Sequence, residues 1–225
     1  MSRSIVRQLI VKDLRLMRTY ILLYWFAGIA SIAFVMVLNS ELAGTVGFIL
    51  FVGAMAAAGI HAIFLTIVEE KEKLNLPFIM SLPVSLRQYS MAKISANLLI
   101  FGSVWLTLSA ASLVVFIGED GMPRGMLPFV SIMLVAIFAA YILMLSTALI
   151  TASQGYTIFS TVVANLGVQG YLWWVGDLYP IRAVKGGAEA IWNTTTVTVL
   201  VAQCVFIVAV IMVTLMIQLR RKDVV

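Results

Sequence analysis

One cysteine and one histidine among 225 residues leave no means of building a disulfide framework or a zinc site within the chain. Charge is scarce as well: 11% of residues are Asp, Glu, Lys or Arg against 62% apolar, and the mean hydropathy is +1.07. No water-soluble domain of this size can carry such a composition on its surface, so the solvent around this chain is lipid. The phosphate-cradling pattern G-x-x-x-x-G-K-[ST] is missing, which excludes an ATPase that fuels itself. The serine-hydrolase pattern G-x-S-x-G is missing too, and the chain reads as non-enzymatic with no cofactor of its own. His61 has no second imidazole with which to share a metal and no carboxylate near it in sequence to orient it as a base, so it reads as an interhelical hydrogen-bonding residue. Cys204 lies within an apolar run and reads as a small packing residue.

What is present is a set of six continuous apolar runs: Tyr20 to Leu38, Val46 to Val68, Ile94 to Ile117, Pro128 to Thr151, Tyr156 to Gly176 and Thr194 to Leu219. Each reaches the roughly 20 residues that a spanning helix needs. None alternates apolar and polar residues with period two, which excludes a transmembrane β-barrel. The fold class is therefore all-α integral membrane, with six transmembrane helices in a single domain over 1–225. The runs hold no Asp, Glu, Lys or Arg. That counts against a carrier driven by its own ion gradient, although backbone carbonyls can also bind sodium.

Twelve of the fifteen Lys and Arg residues fall before the first run, between the second and third, or after the sixth. Arg124, Arg182 and Lys185 alone fall in the other connections, where Glu41, Glu119, Asp120, Asp177 and Glu189 also lie. By the positive-inside rule both termini are cytoplasmic, in a multi-pass membrane protein. The net charge of +5 is a topology signal and calls for no nucleic-acid partner. The first apolar run is long enough to remain as an anchor, and no cleavable signal peptide precedes it.

The first 19 residues form a basic segment, and Ser4 to Arg18 has helical periodicity: Ile5, Val6, Leu9, Ile10, Leu14, Leu16 and Met17 cover about half the wheel. An amphipathic helix lying along the inner membrane surface is expected there. Asp13 sits within the apolar arc, which points to a local partner or to contact with another protein. The connection over 69–93 begins Glu69-Glu70-Lys71-Glu72-Lys73 and then turns apolar at Leu74, Leu76, Phe78, Ile79 and Met80, with Pro77 and Pro83 dividing it. A solvated linker has no use for those apolar residues, so this stretch reads as a docking element. Ser85 with Gln88 three residues on forms a capping-box signature, predicting a helix that starts there and runs into the third span. Over 177–193, Tyr179, Pro180, Ile181, Ala190 and Ile191 predict short re-entrant helices in the outer leaflet. Trp173, Trp174 and Trp192 read as an aromatic belt at that interface.

Within the fifth run Thr157, Thr161, Asn165 and Gln169 recur at steps of four and share one helix face. They serve either helix-helix hydrogen bonding or the wall of a translocation path. In the second run Gly53, Ala54, Ala57, Ala58 and Gly59 form a small-residue surface suited to close helix packing.

Two stretches together resemble the ABC-2 type permeases, the membrane subunits of bacterial ATP-binding-cassette exporters. They are Leu9-Ile10-Val11-Lys12-Asp13-Leu14-Arg15 leading into the first span, and Glu69-Glu70-Lys71 followed by Leu82-Pro83-Val84-Ser85, Tyr89 and Lys93. The acidic segment commonly continues toward Gly-Thr in that family, whereas Lys73-Leu74-Asn75 follows here. The resemblance implies a type V exporter-like architecture in which Lys73 to Ser81 forms a coupling helix seated in a separate ATPase subunit. Glu69, Glu70, Lys73, Leu74, Leu76, Phe78, Ile79 and Asp13 would be the residues at or beside that contact. It further implies two permeases, identical or not, working with two ATPase copies that bind ATP and magnesium. The 177–193 segment would gate the exit. Short members with an early surface helix resemble exporters of antimicrobial or amphipathic peptides, including the phenol-soluble modulin type, and an uncharged lining rich in Met, Phe and Val fits such cargo. The competing function is a non-transporting membrane scaffold that docks a structural partner through the same cytoplasmic segment.

Overall fold

The computed structural model describes residues 2–38, 40–72, 86–118, 123–151 and 153–220, and among them every regular element is helical. Helix α1 spans Ser2–Leu38. Helix α2, Glu41–Ile63, runs through a π turn, Phe64–Val68, into the short α3, Glu69–Glu72. Helix α4 is Leu86–Gly118, α5 Leu127–Thr151 and α6 Gln154–Asp177. The four-residue α7, Tyr179–Arg182, and the long α8, Thr194–Arg220, complete the chain.

Five of these helical stretches are long and apolar enough to cross a membrane: Val6–Leu38, Glu41–Val68, Gln88–Gly118, Arg124–Thr151 and Thr194–Gln218. They contain four of the six expected runs and all but Leu219 of a fifth. The remaining run, Tyr156 to Gly176, lies on α6, whose 24 residues reach about 36 Å at 1.5 Å per residue but are interrupted by Thr157, Ser160, Thr161, Asn165 and Gln169.

The expected surface helix over 4–18 is not a separate element. It is the first part of α1, which continues through Arg18, Thr19 and Tyr20 without a break. Nothing in that stretch stops helical hydrogen bonding, since neither Pro nor Gly intervenes. The 37 residues of α1 extend about 55 Å, roughly 25 Å more than a bilayer's hydrocarbon core. Its inward stripe is Leu9, Asp13 and Met17, with Met17 packed against Ala62 of α2 and Ile100 of α4. The other end of α1 is followed by Ser40, whose hydroxyl caps α2 by accepting from the Ala43 amide at 3.2 Å.

Helix α1 packs chiefly on α2 and α4, and α5 chiefly on α6 and α8. The centre belongs to α5, where 72% of the apolar window is buried against 11% in α1 and in α8. The peripheral helices turn Leu22, Leu23, Phe26, Val201, Val205 and Val208 outward, as a lipid-facing surface requires. The core is aromatic: Phe101 of α4 stacks on Tyr141 of α5 with centroids 3.9 Å apart, and Trp105 donates its indole N–H to the Leu134 carbonyl at 2.8 Å. Gly59 of the small-residue surface makes room for this stack, because a Cβ there would lie 2.8 Å from Tyr141 Cδ2.

Hydrogen bonds between distant segments identify the two ends of the bundle. At one end Ser90 donates to Gln218, and Gln218 donates to the Leu149 carbonyl at 2.8 Å. At the other the Gly125 amide donates to the Gly187 carbonyl at 2.9 Å, and Lys185 donates to the Gly176 carbonyl at 2.9 Å while its ammonium stands 3.6 Å from the Phe129 ring centroid. The re-entrant helices expected over 177–193 reduce to α7 and a series of turns. Ile181 from this cap is buried against Ile132 and Val175, whereas Trp173, Trp174 and Trp192 remain exposed around it.

Candidate functional site

Polar side chains are costly inside an apolar bundle, so where they gather is informative. The densest gathering lies at the end that holds Ser90 and Gln218. Lys93 of α4 is fully buried, at 0% exposure, and its ammonium sits 2.8 Å from Asp13 Oδ2 of α1 and 2.7 Å from Glu70 Oε2 of α3. Tyr89, one turn earlier on α4, donates its hydroxyl to Glu70 Oε2 at 3.1 Å. Lys12 of α1 pairs with the other Glu70 oxygen and stands 3.4 Å from Asp13 Oδ1. Two cations thus balance two anions, three of the four groups being buried. Burial alone pushes the Glu70 carboxyl up, but the Lys93 charge and the hydrogen bonds from Lys12 and Lys93 outweigh it and hold the group below its ordinary value of 4.5.

The polar column continues inward. Asn97, one turn beyond Lys93, donates to the Thr66 hydroxyl at 2.8 Å and to the Lys93 carbonyl at 3.0 Å, and Tyr141 of α5 donates to the Asn97 carbonyl at 3.0 Å. Thr66 lies in the π turn, whose wider winding adds about one residue, or roughly 100° of rotation, relative to an uninterrupted α-helix. That rotation sets the direction in which Glu70 leaves α2.

Asp13 and Glu70, two of the three acidic residues assigned to a partner contact, therefore point into the protein toward Lys93. Of the alternatives open for Asp13, a local partner is the one found. Glu69 is half-buried beside them. Lys73, Leu74, Leu76, Phe78 and Ile79 lie outside the described residues, as does the capping Ser85, although α4 does begin at Leu86.

Three of the four members of the α6 polar ladder bond within the helix and its cap. Thr157, Thr161 and Asn165 each donate, at 2.8 Å, to the carbonyl four residues back. Asn165 reaches out of the helix only to Met144 Sδ, at 4.0 Å. Asn165 and Gln169 face a cavity of about 30 Å³, walled also by Met55, Gly59, Phe101 and Tyr141. His61 stands apart from them, its Nδ1 3.0 Å from the Tyr24 hydroxyl of α1 and its ring edge-on to Tyr20, in the interhelical role expected of it.

Sequence reasoning missed Lys93, Tyr89 and Asn97 as site residues. Their signal was the same four-residue spacing that drew attention to α6, but Lys93 served to mark where the span began and so was left in the loop.

A helical chain with several spanning stretches and a charge cluster walled in at one end is a multi-pass membrane protein. The family profile described as ABC-2 family transporter protein matches residues 8–222, and the chain belongs to that family. No curated protein and no solved structure matches it. Permeases of this family are typically non-catalytic membrane components, and they imply an ATP-binding-cassette ATPase as partner.

The depressed Glu70 carboxyl has a pH consequence. Its contribution to stability is complete above 4.5, the ordinary value, and is lost as pH falls through the lower folded value. Thermal melts in detergent are expected to lose midpoint temperature on acidification from pH 5 to 3, and to lose less in Glu70→Gln. Equal losses would mean that the Glu70 pairing does not govern this range.

Proposed function

We propose that this chain is the permease subunit of an ATP-binding-cassette exporter, one of two that together form the path and are driven by two ATPase copies carrying ATP and magnesium. The observation that carries the proposal is the family match across 8–222, joined to a cytoplasmic segment whose two roots, Glu70 and Lys93, are tied to each other. Six spans are favoured over five, because α6 is long enough to cross and an even number keeps Arg220, Arg221 and Lys222 on the same side as Arg7, Lys12 and Arg15. Both termini are then cytoplasmic, in a bacterial plasma membrane. The apolar segment 73–81 is the coupling helix, and the cap over 177–193 stands at the exit. The cargo is an amphipathic or antimicrobial peptide or another hydrophobic compound, in keeping with apolar runs that hold no charged residue.

Capture of the tagged protein from its native membrane in mild detergent tests this reading. A stoichiometric ATP-binding-cassette subunit is expected; its absence in several gentle detergents would favour the scaffold instead. A second test concerns the path. Asn165→Leu is expected to fold with stability within about 1 kcal/mol of the parent, since it breaks no strong interhelical bond, while ATP-driven peptide export falls. Unchanged export would remove the α6 face from the path.

A further inference from the structure

The position of the charge cluster along the chain is as informative as its geometry. Asp13 belongs to α1. Glu70 lies on α3, just before the cytoplasmic segment, and Tyr89 and Lys93 lie in the first turns of α4, just after it. One ammonium, Lys93 Nζ, therefore ties both roots of the segment to each other and to α1, at 2.7 and 2.8 Å. Stability does not account for charges at this place, because well-packed apolar side chains of similar volume hold a buried interface as well as an ion cluster does or better. Charges add direction and pairing: each carboxylate accepts only where an ammonium or hydroxyl is aimed at it. The π turn turns Glu70 toward Lys93, and Thr66 within that turn is held by Asn97 of α4, so the end of α2 is fastened to the same helix. Asp13 Oδ1 receives no hydrogen bond and has only the half-exposed Lys12 ammonium 3.4 Å away, which leaves the α1 side of the cluster an unused acceptor.

We propose that the Asp13–Lys93–Glu70 cluster is a mechanical joint: α1, the end of α2 and the start of α4 travel as one body, so that displacement of the cytoplasmic segment is delivered to α1. This rests on the reading of the chain as an ATPase-driven permease. Asp13, Glu70 and Lys93 are positioning residues in that scheme and touch neither nucleotide nor cargo. Two charge-balanced double variants separate the joint from mere stability. Asp13→Asn with Lys93→Met cuts α1 from α4 and leaves the Lys12–Glu70 pair intact. Lys12→Met with Glu70→Gln cuts the tie to α3 and leaves Lys93–Asp13.

The experiment uses the full chain with its co-purified ATPase in lipid vesicles, in a Cys204→Ser background. Spin labels are placed on the exposed positions Leu22→Cys of α1 and Val201→Cys of α8. Inter-label distances are recorded without nucleotide and after trapping with ATP and vanadate. The parent is expected to show a nucleotide-dependent shift. Each double variant keeps one ion pair between α1 and a root of the segment and is expected to reduce that shift, and the four changes combined are expected to abolish it, with ATP hydrolysis within about twofold of the parent throughout. An undiminished shift in the folded double variants overturns the joint and leaves the permease reading standing. So does a parent in which α1 shows no shift although the ATPase is bound and active, a result that needs no variant to fold. A parent that captures no ATPase overturns the permease reading and the joint with it.

Discussion

Replacing Lys93 by Met is expected to cost about 3–5 kcal/mol of folding stability. The substitution keeps the volume of the side chain but removes the one cation that Asp13 and Glu70 share inside the bundle, leaving two carboxylates with only the half-exposed Lys12 between them. Most of that cost comes from the abandoned partners. Adding Asp13→Asn to Lys93→Met restores charge balance, with Lys12 and Glu70 still paired, and is expected to recover most of the loss. Far-UV circular dichroism melts of the two variants in one detergent make the comparison. A single variant as stable as the parent, or a double variant less stable than the single, would mean that the cluster is solvated and that Lys93 is not buried as described.

The second large effect is expected in the aromatic core. Gly59→Ala places a methyl group 2.8 Å from Tyr141 Cδ2 and 3.3 Å from the Phe101 ring. Neither ring can yield easily: they stack on each other, and the Tyr141 hydroxyl is bonded to the Asn97 carbonyl. Overpacking of this kind costs about 1–3 kcal/mol. Gly→Ala also gains roughly 1 kcal/mol of helix propensity, which must be subtracted. Gly102→Ala on α4 provides the control, since a Cβ there meets nothing within 4 Å and keeps the propensity gain. The melting midpoint of Gly59→Ala is therefore expected to fall below that of Gly102→Ala by an amount matching the full overpacking cost. Equal midpoints would show that the Tyr141–Phe101 stack is loose.

Much of the fold was legible because spans leave a strong imprint. The second and fourth apolar runs end at Val68 and Thr151, where the π turn and α5 end, and of the small-residue surface Ala54, Ala58 and Gly59 are buried while Gly53 is exposed. At the start of the chain a separate surface helix was expected and one continuous helix is found, because basic residues on one side of a helix look the same whether that helix lies on a membrane or continues into a span. The choice is made by the absence of a helix breaker before Tyr20 and by the Leu9–Asp13–Met17 stripe packing inward. The charge cluster was illegible because charges were used as boundaries. Lys93 flanks an apolar run and so was taken as the edge of a loop, and Glu70 was assigned to a partner contact, although a buried, balanced set of charges can sit at the end of a bundle. No periodicity rule foresees a π turn, and without one the direction of Glu70 could not be known. For α6, the hydrogen bonds of Thr157, Thr161 and Asn165 run mainly along the helix, because Thr and Asn can reach back to the carbonyl four residues earlier, and between helices Asn165 makes only the long contact to Met144.

The central claim is that this chain couples to an ATPase through its cytoplasmic segment, and the most direct test is to charge that segment's apolar face. The tagged parent and a Phe78→Asp/Ile79→Asp variant are captured from native membranes side by side, and the ATP-binding-cassette subunit in each eluate is quantified by mass spectrometry. The account predicts a stoichiometric subunit with the parent and its loss from a variant that melts at the parent's temperature. Equal recovery of the subunit with both would contradict it.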